Sequence, residues 1–330
     1  MNSQKNVMVY TESIDGELAP ISKELLGCGR RLANELEEEL CAVLIGDGIS
    51  HLADDVTAFG ADKVYIVDDP LLKDFRTDSY LSCMEKVVEK EVPRILILGQ
   101  TSIGQDLSPR LAFRLTTTIV PDCVELSIEP ELKLLLRTKP VYGGKAMAIF
   151  RDESYPQMAT IRSKSMSPSE RDDSREGSVV IIDADLDESL IRTRVLEKVT
   201  EEKEGISLED AQIIIAGGRG LGSAEGFKKL EELAEILEGA AVGASRPPCD
   251  EGWVPATIQV GLSGKIVAPK VYIAVGVSGA SQHMAGCAGA GTIVAINKDS
   301  NAQIYKFATF GVTGDWNKIL PPFIEKIKEL

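Results

Sequence analysis

The feature that most constrains the fold is a repeated alternation of short apolar runs with stretches of helical periodicity. VMVYTE is followed by PISKELLGCGRRLANELEEEL, CAVLIGD by a helical stretch near 50–59, KVYIVDD by one over 78–91, and RILILGQ by one over 105–116. Short runs apolar on both faces, separated by helix-length segments, can bury themselves only as parallel strands covered by helices. A second series begins with VVIIDA, continues through a helix over SLIRTRVLEKVT, then AQIIIAGG, a helix over 223–238 and VYIAVGV, and ends in a helix after Ser278 and TIVAIN. Between the two lie β-like runs (CVELSIE, LKLLLRT, GKAMAIF, QMATIR) that read as antiparallel edge strands, then the polar stretch SKSMSPSERDDSREGS over 163–178, which reads as a linker. The expectation is α/β with two doubly wound domains: an N-terminal domain over 1–165, linker and first elements of the second domain over 166–205, and a ligand-binding domain over 206–330.

Composition narrows the function. The 330 residues include 51 acidic and 36 basic side chains, a net charge of −15, which disfavours nucleic acid and anionic membranes as partners. No apolar run approaches the roughly 18 residues of a membrane span, and the N-terminus carries no secretory pattern, so a cytoplasmic location is expected. The six cysteines are scattered without a C-x-x-C pair and the two histidines cannot form a multi-histidine metal site, so no metal is expected. No Ser–His–Asp arrangement or carboxylate dyad stands out, and no independent substrate turnover is expected.

Ligands of open parallel sheets bind beyond the carboxyl ends of the strands, and there the second series is rich in glycine. GGRGLG at 217–222 follows a strand and offers backbone N–H groups to phosphate, with Arg219 as counter-charge and Gly220 allowing close approach. It departs from the nicotinamide fingerprint by placing Ser223 at the third glycine, and a plain strand-to-helix turn is the competing reading. AAVGASRPP places Ser245 and Arg246 after small residues, where a guanidinium could face a ring or a phosphate or simply occupy a surface loop. IQVGLSGKIVAPK supplies Gln259, Ser263 and Lys265 in a turn between β-like runs. In VYIAVGVSGASQH, Ser278 and Gly279 end a strand and open a helix that carries Gln282 and His283, one turn in.

GGRG, VGASR, QVGLSGK, YIAVGVSGASQH, AINKD and FGVTGDW, in this order over 211–317, resemble the alpha (large) subunit family of electron-transfer flavoproteins. LLGCGRRLA, DKVYIVDD, GQTSIGQDLSPRLAFRL and KPVYGGKA extend the likeness to the first domain. The resemblance implies a HUP-like first domain that pairs with a beta subunit and a Rossmann-like second domain that holds FAD extended. Arg219, Gly220 and the Ser278, Gly279, Ala280, Ser281, Gln282 turn would lie near the pyrophosphate and ribityl chain, and Asn297, Asp315 and Trp316 towards the adenosine end. Arg246 and His283 would bring positive charge to the flavin ring, lined by Ser245, Gln259, Val260 and Gly261, with the Ser263 hydroxyl reaching N5 or O4. It further implies electron shuttling from a dehydrogenase, or from NADH through the partner's flavin, to acceptors such as acyl-CoA dehydrogenases or a quinone oxidoreductase. Ser263 replaces the usual threonine and Ser281 the usual isoleucine; Gly314 before Asp315 resembles anaerobic members that bifurcate electrons. A nicotinamide-dependent oxidoreductase and an adenine-nucleotide-binding interaction module are the alternatives to be separated.

Overall fold

A computed structural model describes residues 4–142, 146–197 and 206–329. Two compact units result, the first holding every element up to Glu188–Leu190 and the second every element from Ile213–Gly217 onward.

In the first unit, strands β1 (Lys5–Thr11), β2 (Leu40–Gly46), β3 (Lys63–Asp68), β4 (Pro93–Gly99), β5 (Ile119–Cys123), β9 (Gln157–Ile161) and β10 (Ser178–Ile181) make one parallel sheet in the order β10-β3-β2-β1-β4-β9-β5. Both faces are covered, and successive residues of one strand go to different cores. Val7 and Val9 pack with Leu25 and Leu26 of helix α1 (Pro20–Leu36), whereas Met8 and Tyr10 pack with Met84 of α3 (Thr77–Glu91) and Leu107 of α4 (Ser102–Arg114). Pro20 suits the first turn of α1, where its missing N–H has no intrahelical partner. Helix α2 (Ala53–Ala58) follows a single 3-10 turn, Ser50–Leu52.

Four expectations need correction here. The antiparallel strands β6 (Glu125–Ile128), β7 (Leu135–Val141) and β8 (Ala146–Phe150) form a separate three-stranded sheet, while QMATIR enters the main sheet in parallel between β4 and β5. VVIIDA does not open the second unit: Ser178 to Ile181 pair with Lys63 to Ile66 at the edge of the first sheet. The stretch before it is not a free linker, because its polar backbone finds partners along the first unit. Glu24 accepts from the Lys164 N–H at 2.9 Å, the Asp172 N–H donates to Ala58 O at 2.9 Å, and Arg175 donates to Asp62 at 2.9 Å. SLIRTRVLEKVT forms only a 3-10 turn, Glu188–Leu190, among its described residues, and its last residues lie outside them.

The second unit is a five-stranded parallel sheet of β11 (Ile213–Gly217), β12 (Ala240–Ala244), β13 (Val271–Val275), β14 (Thr292–Asn297) and β15 (Phe310–Thr313), ordered β12-β11-β13-β14-β15. α5 (Glu225–Glu235) and α8 (Trp316–Lys328) cover one face through Leu230 and Leu320. α7 (Ser281–Cys287) covers the other through Met284 and Cys287. The doubly wound expectation holds, in the 2-1-3-4-5 order whose switch point lies between the first and third strands.

Glu12, just past β1, makes the first unit's stability depend on pH. Its side chain is buried, the Thr101 hydroxyl donates to its Oε1 at 2.7 Å, and burial raises its carboxyl to about 7. A raised folded pKa adds stability at acid pH that is lost as pH rises through 7. Glu12→Gln, which keeps the acceptor for Thr101, is therefore expected to gain roughly 2–3 kcal/mol over wild type between pH 5 and pH 8, read from urea unfolding at both values. Parallel losses in the two proteins would refute the assignment.

Candidate functional site

At the switch point β11 and β13 run in register from Ile213↔Val271 to Gly217↔Val275, so their carboxyl ends emerge side by side. Beyond them the Gly218 N–H donates to Val275 O at 2.9 Å and the Gly220 N–H to Gly276 O at 3.0 Å. This approach requires glycine. A Cβ on Gly220 would stand 2.7 Å from Gly276 O, and Gly276, at φ +65°, would put one 2.9 Å from the Gly220 Cα. The Gly276 N–H in turn donates to Ile296 O at 2.9 Å, and the Gly314 N–H to Asn297 O at 2.9 Å. Four strand ends are thereby tied into one ledge.

The ledge floors a cleft of about 240 Å³ lined by Gly220, Leu221, Gly276, Ile296, Asn297, Lys298, Gly314, Asp315, Trp316 and Asn317. Asn297 is oriented by donating from Nδ2 to Val277 O at 2.9 Å, and its own N–H donates to the Tyr305 hydroxyl at 3.1 Å. Asp315 caps α8 by accepting from the Asn317 N–H at 3.0 Å, which fixes its carboxylate at the cleft rim. Arg219 is exposed in the 3-10 turn Arg219–Leu221 beside the ledge.

A second cluster forms where β12 ends. The Ser245 N–H donates to Gly217 O at 2.9 Å and the Val260 N–H to Ala244 O at 2.8 Å, which binds the Gln259–Lys265 turn to the same sheet edge. Within the turn, Gln259 is buried and donates from Nε2 to the exposed Ser263 hydroxyl at 2.9 Å. The Leu262 N–H donates to Gln282 O at 2.7 Å, so the turn lies against the start of α7. Arg246 opens the short helix α6 (Arg246–Asp250) and pairs with Asp250 at 3.1 Å, its guanidinium mostly in solvent.

His283 differs from the expectation in charge. It is buried, its Nδ1 lies 3.0 Å from Val260 O and its Nε2 2.9 Å from the Tyr272 hydroxyl. A carbonyl can only accept, so Nδ1 carries the proton and Nε2 accepts from Tyr272. Burial lowers the imidazole to about 4, so at neutral pH the ring is uncharged and adds no positive charge. Helix α7 also starts later than expected, at Ser281, leaving Ser278 and Gly279 in the connection before it; the Ile304 N–H donates to Ser278 O at 3.0 Å.

Gly220, Asn297, Asp315 and Trp316 thus meet in one cleft, and Ser245, Gln259, Val260, Gly261, Ser263, Gln282 and His283 in an adjoining group. Among the described residues, no hydrogen bond or ion pair joins the side chains of Arg219 or Ser281 to either. Gly276, Lys298 and Asn317 were missed by sequence reasoning, although Gly276 and Lys298 sit inside motifs already singled out and Asn317 directly follows one. Tyr272 opens the YIAVGVSGASQH motif, but nothing there singled out its hydroxyl, since it lies in an apolar strand.

Residues 7–187 match the family described as "Electron transfer flavoprotein domain", and residues 207–288 the "Electron transfer flavoprotein FAD-binding domain". The chain is 45% identical over 331 residues to the electron transfer flavoprotein subunit alpha of Thermoanaerobacterium thermosaccharolyticum, covering 100% of both chains. It is 42% identical to the subunit alpha of Bacillus subtilis, covering 99% of this chain and 98% of that one. It is 36% identical to the acryloyl-CoA reductase electron transfer subunit beta of Anaerotignum propionicum, covering 100% and 97%. A glycine ledge that a Cβ would fill, at the switch point and beside a polar-rimmed cleft, fits a dinucleotide such as FAD.

Gly276→Ala tests the ledge. The added methyl meets Gly220 backbone and the residue stays at positive φ, so a loss of about 2 kcal/mol or more in the second unit is expected, with reduced flavin content. Unchanged melting and flavin content would mean that the two turns separate freely.

Proposed function

The chain belongs to the electron-transfer flavoprotein alpha-subunit family, and on that premise we propose that its FAD lies along the carboxyl edge of the second sheet, from the Asn297–Asp315 cleft to the Gln259–Ser263 turn. The chain binds FAD and serves electron transfer. The observation that carries the placement is the backbone approach of Gly220 to Gly276. It keeps the switch point clear of side chains, so that an anionic pyrophosphate can come close to glycine backbone there.

Each residue then has a physical task. Asn297 and Asp315 present a carboxamide and a fixed carboxylate to the polar edges of the adenosine, with Trp316 and Gly220 bounding the same cleft. Arg219 and the 278–282 connection face the pyrophosphate and ribityl chain. Ser245, Gln259, Val260, Gly261 and Ser263 surround the ring, and the Ser263 hydroxyl, already held by Gln259, is oriented towards it. Arg246 supplies the positive charge, and its weak exposed pairing with Asp250 leaves it able to turn to the ring. Bound FAD supplies the redox chemistry; the protein tunes it by charge, hydrogen bonding and exclusion of water.

The partners follow the same reading. A beta subunit completes a heterodimer, and electrons pass from a flavin dehydrogenase of the acyl-CoA dehydrogenase type to an acceptor such as a quinone oxidoreductase. Gly314 lines the cleft, and its absent Cβ would stand 2.8 Å from the tip of Ile319. The same glycine resembles bifurcating members, so an NADH-linked pathway is the competing route. None of the described helices is long and apolar enough to cross a membrane.

Two measurements test the proposal. Co-expressed with the small subunit, the chain is expected to retain one FAD that NADH alone does not reduce without oxygen. Two flavins with NADH reduction would favour the NADH-linked route, and no flavin would overturn the placement. Arg246→Ala is expected to lower the flavin midpoint potential by roughly 30 mV, about 1.4 kcal/mol for a two-electron couple, with FAD retained. An unchanged potential would remove Arg246 from the ring.

A further inference from the structure

We infer that Tyr305 is a positioning residue for the adenosine end of the bound dinucleotide, acting through Asn297. The inference rests on the assignment of the Asn297–Asp315 cleft to the adenosine. Tyr305 lies in the 3-10 turn Gln303–Lys306, on the connection from β14 to β15. Its ring is half-buried, and water could satisfy a hydroxyl so placed. This hydroxyl has protein partners instead. It accepts from the Asn297 N–H at 3.1 Å, and its own proton lies between Asn297 O at 2.8 Å and Val312 O at 2.9 Å. The phenol thus holds the last residue of β14 by both backbone groups and binds it to β15.

Asn297 needs such a hold because it ends a strand and begins the loop that forms one wall of the cleft, with Lys298 next in line. Its carboxamide is aimed by two bonds: Nδ2 donates to Val277 O at 2.9 Å, and Oδ1 accepts from the Asp299 N–H at 3.0 Å. An amide has two protons and two lone pairs, so one of each can still serve a ligand. Its backbone is fixed by Tyr305 and by the Gly314 N–H, which donates to Asn297 O at 2.9 Å. The hydroxyl therefore closes the 297–305 loop on itself, and the direction in which the carboxamide faces the cleft follows from that closure.

The phenol is itself held in place. Its ring packs against Gly311 of β15, where a Cβ would stand 2.7 Å from a ring carbon, so any side chain at 311 would push the ring away. The preceding residue, Ile304, is fully buried in the core with Ala295 and Met284, and its N–H donates to Ser278 O at 3.0 Å. A Cβ on Gly279 would stand 2.2 Å from the Ile304 nitrogen, so the turn and the 278–279 connection are in backbone contact. One short turn joins the segments assigned to the adenosine and to the pyrophosphate, and its hydroxyl serves the adenosine side. Among the described residues, no hydrogen bond joins Tyr305 to the ring-side turn at 259–263. Loss of the hydroxyl would leave the Asn297 N–H to water and let the carboxamide tilt.

The experiment titrates FAD into the flavin-depleted heterodimer with its small subunit, in wild type, Tyr305→Phe, Asn297→Ala and the double variant. Tyr305→Phe keeps the ring against Gly311 and removes only the hydroxyl. It is expected to raise the Kd for FAD about tenfold, with the visible spectrum of the bound flavin as in wild type. In the Asn297→Ala background the same change is expected to cost less than about twofold, because the carboxamide that it aims is already gone. Equal factors in the two backgrounds would make the role of Tyr305 merely structural and overturn the inference. So would a Tyr305→Phe heterodimer with wild-type affinity, or one whose flavin spectrum is shifted. If Tyr305→Phe does not assemble, hydrogen exchange in wild type decides: a protected Asn297 amide is expected, and one that exchanges as fast as an open loop overturns the hold. Failure of the functional reading shows separately, in Asn297→Ala alone. Wild-type affinity there would remove the adenosine from this cleft, and the inference with it.

Discussion

The register between β11 and β13 is the constraint from which the site follows. Once Gly217 is opposite Val275, the next residues of both strands must leave the sheet at the same height and on touching paths. Only glycine at 220 and 276 lets their backbones pass, and the resulting N–H to carbonyl bonds hold the ledge on which Asn297 and Gly314 are then hung. A shift of one residue would exchange the faces of β13, sending Tyr272 out of the core beside α7 and into the one beneath α5 and α8. The ledge and the buried histidine therefore depend on the same register.

The two units use one architecture to opposite ends. In the first unit the corresponding switch point lies between β1 and β4, where the chain has packed the crevice with its own atoms. A Cβ on Gly104 at the start of α4 would stand only 1.8 Å from Gly99 O, and the Glu12 side chain is buried against Thr101. In the second unit the same region is glycine backbone beside an open cleft. Parallel topology creates the position in both; the residues placed there decide whether it is filled from within or left for a ligand.

Burial decides charge in ways that residue type does not. His283 and Arg246 look alike as cationic candidates, yet one is enclosed and neutral while the other stands in solvent beside Asp250. Desolvation disfavours the imidazolium, and the two hydrogen bonds that replace water are those of a neutral ring with a defined tautomer. Glu12 responds to the same force in the opposite chemical sense, holding its proton to about 7 because the charged form is the one burial penalises.

Much of this was determined by sequence alone. The period of the apolar runs dictated parallel sheets covered on both faces, and the motifs from GGRG to FGVTGDW placed the cofactor in the second of them, because glycine and polar residues after a strand leave a local chemical mark. Tertiary structure decided what carries no such mark. VVIIDA reads as a strand in either unit, and its place at the first sheet's edge came from pairing with Lys63–Ile66 and from the path of 163–177 back along that unit. QMATIR reads as one more edge strand, and its parallel insertion beside β4 was likewise a matter of partner choice. Tyr272 is one apolar-looking residue in a buried run until α7 brings His283 within 2.9 Å of its hydroxyl. Strand partners, the neutrality of a histidine and the partner of a phenol depend on contacts between residues far apart in the chain, and a linear pattern records only what neighbours along it require.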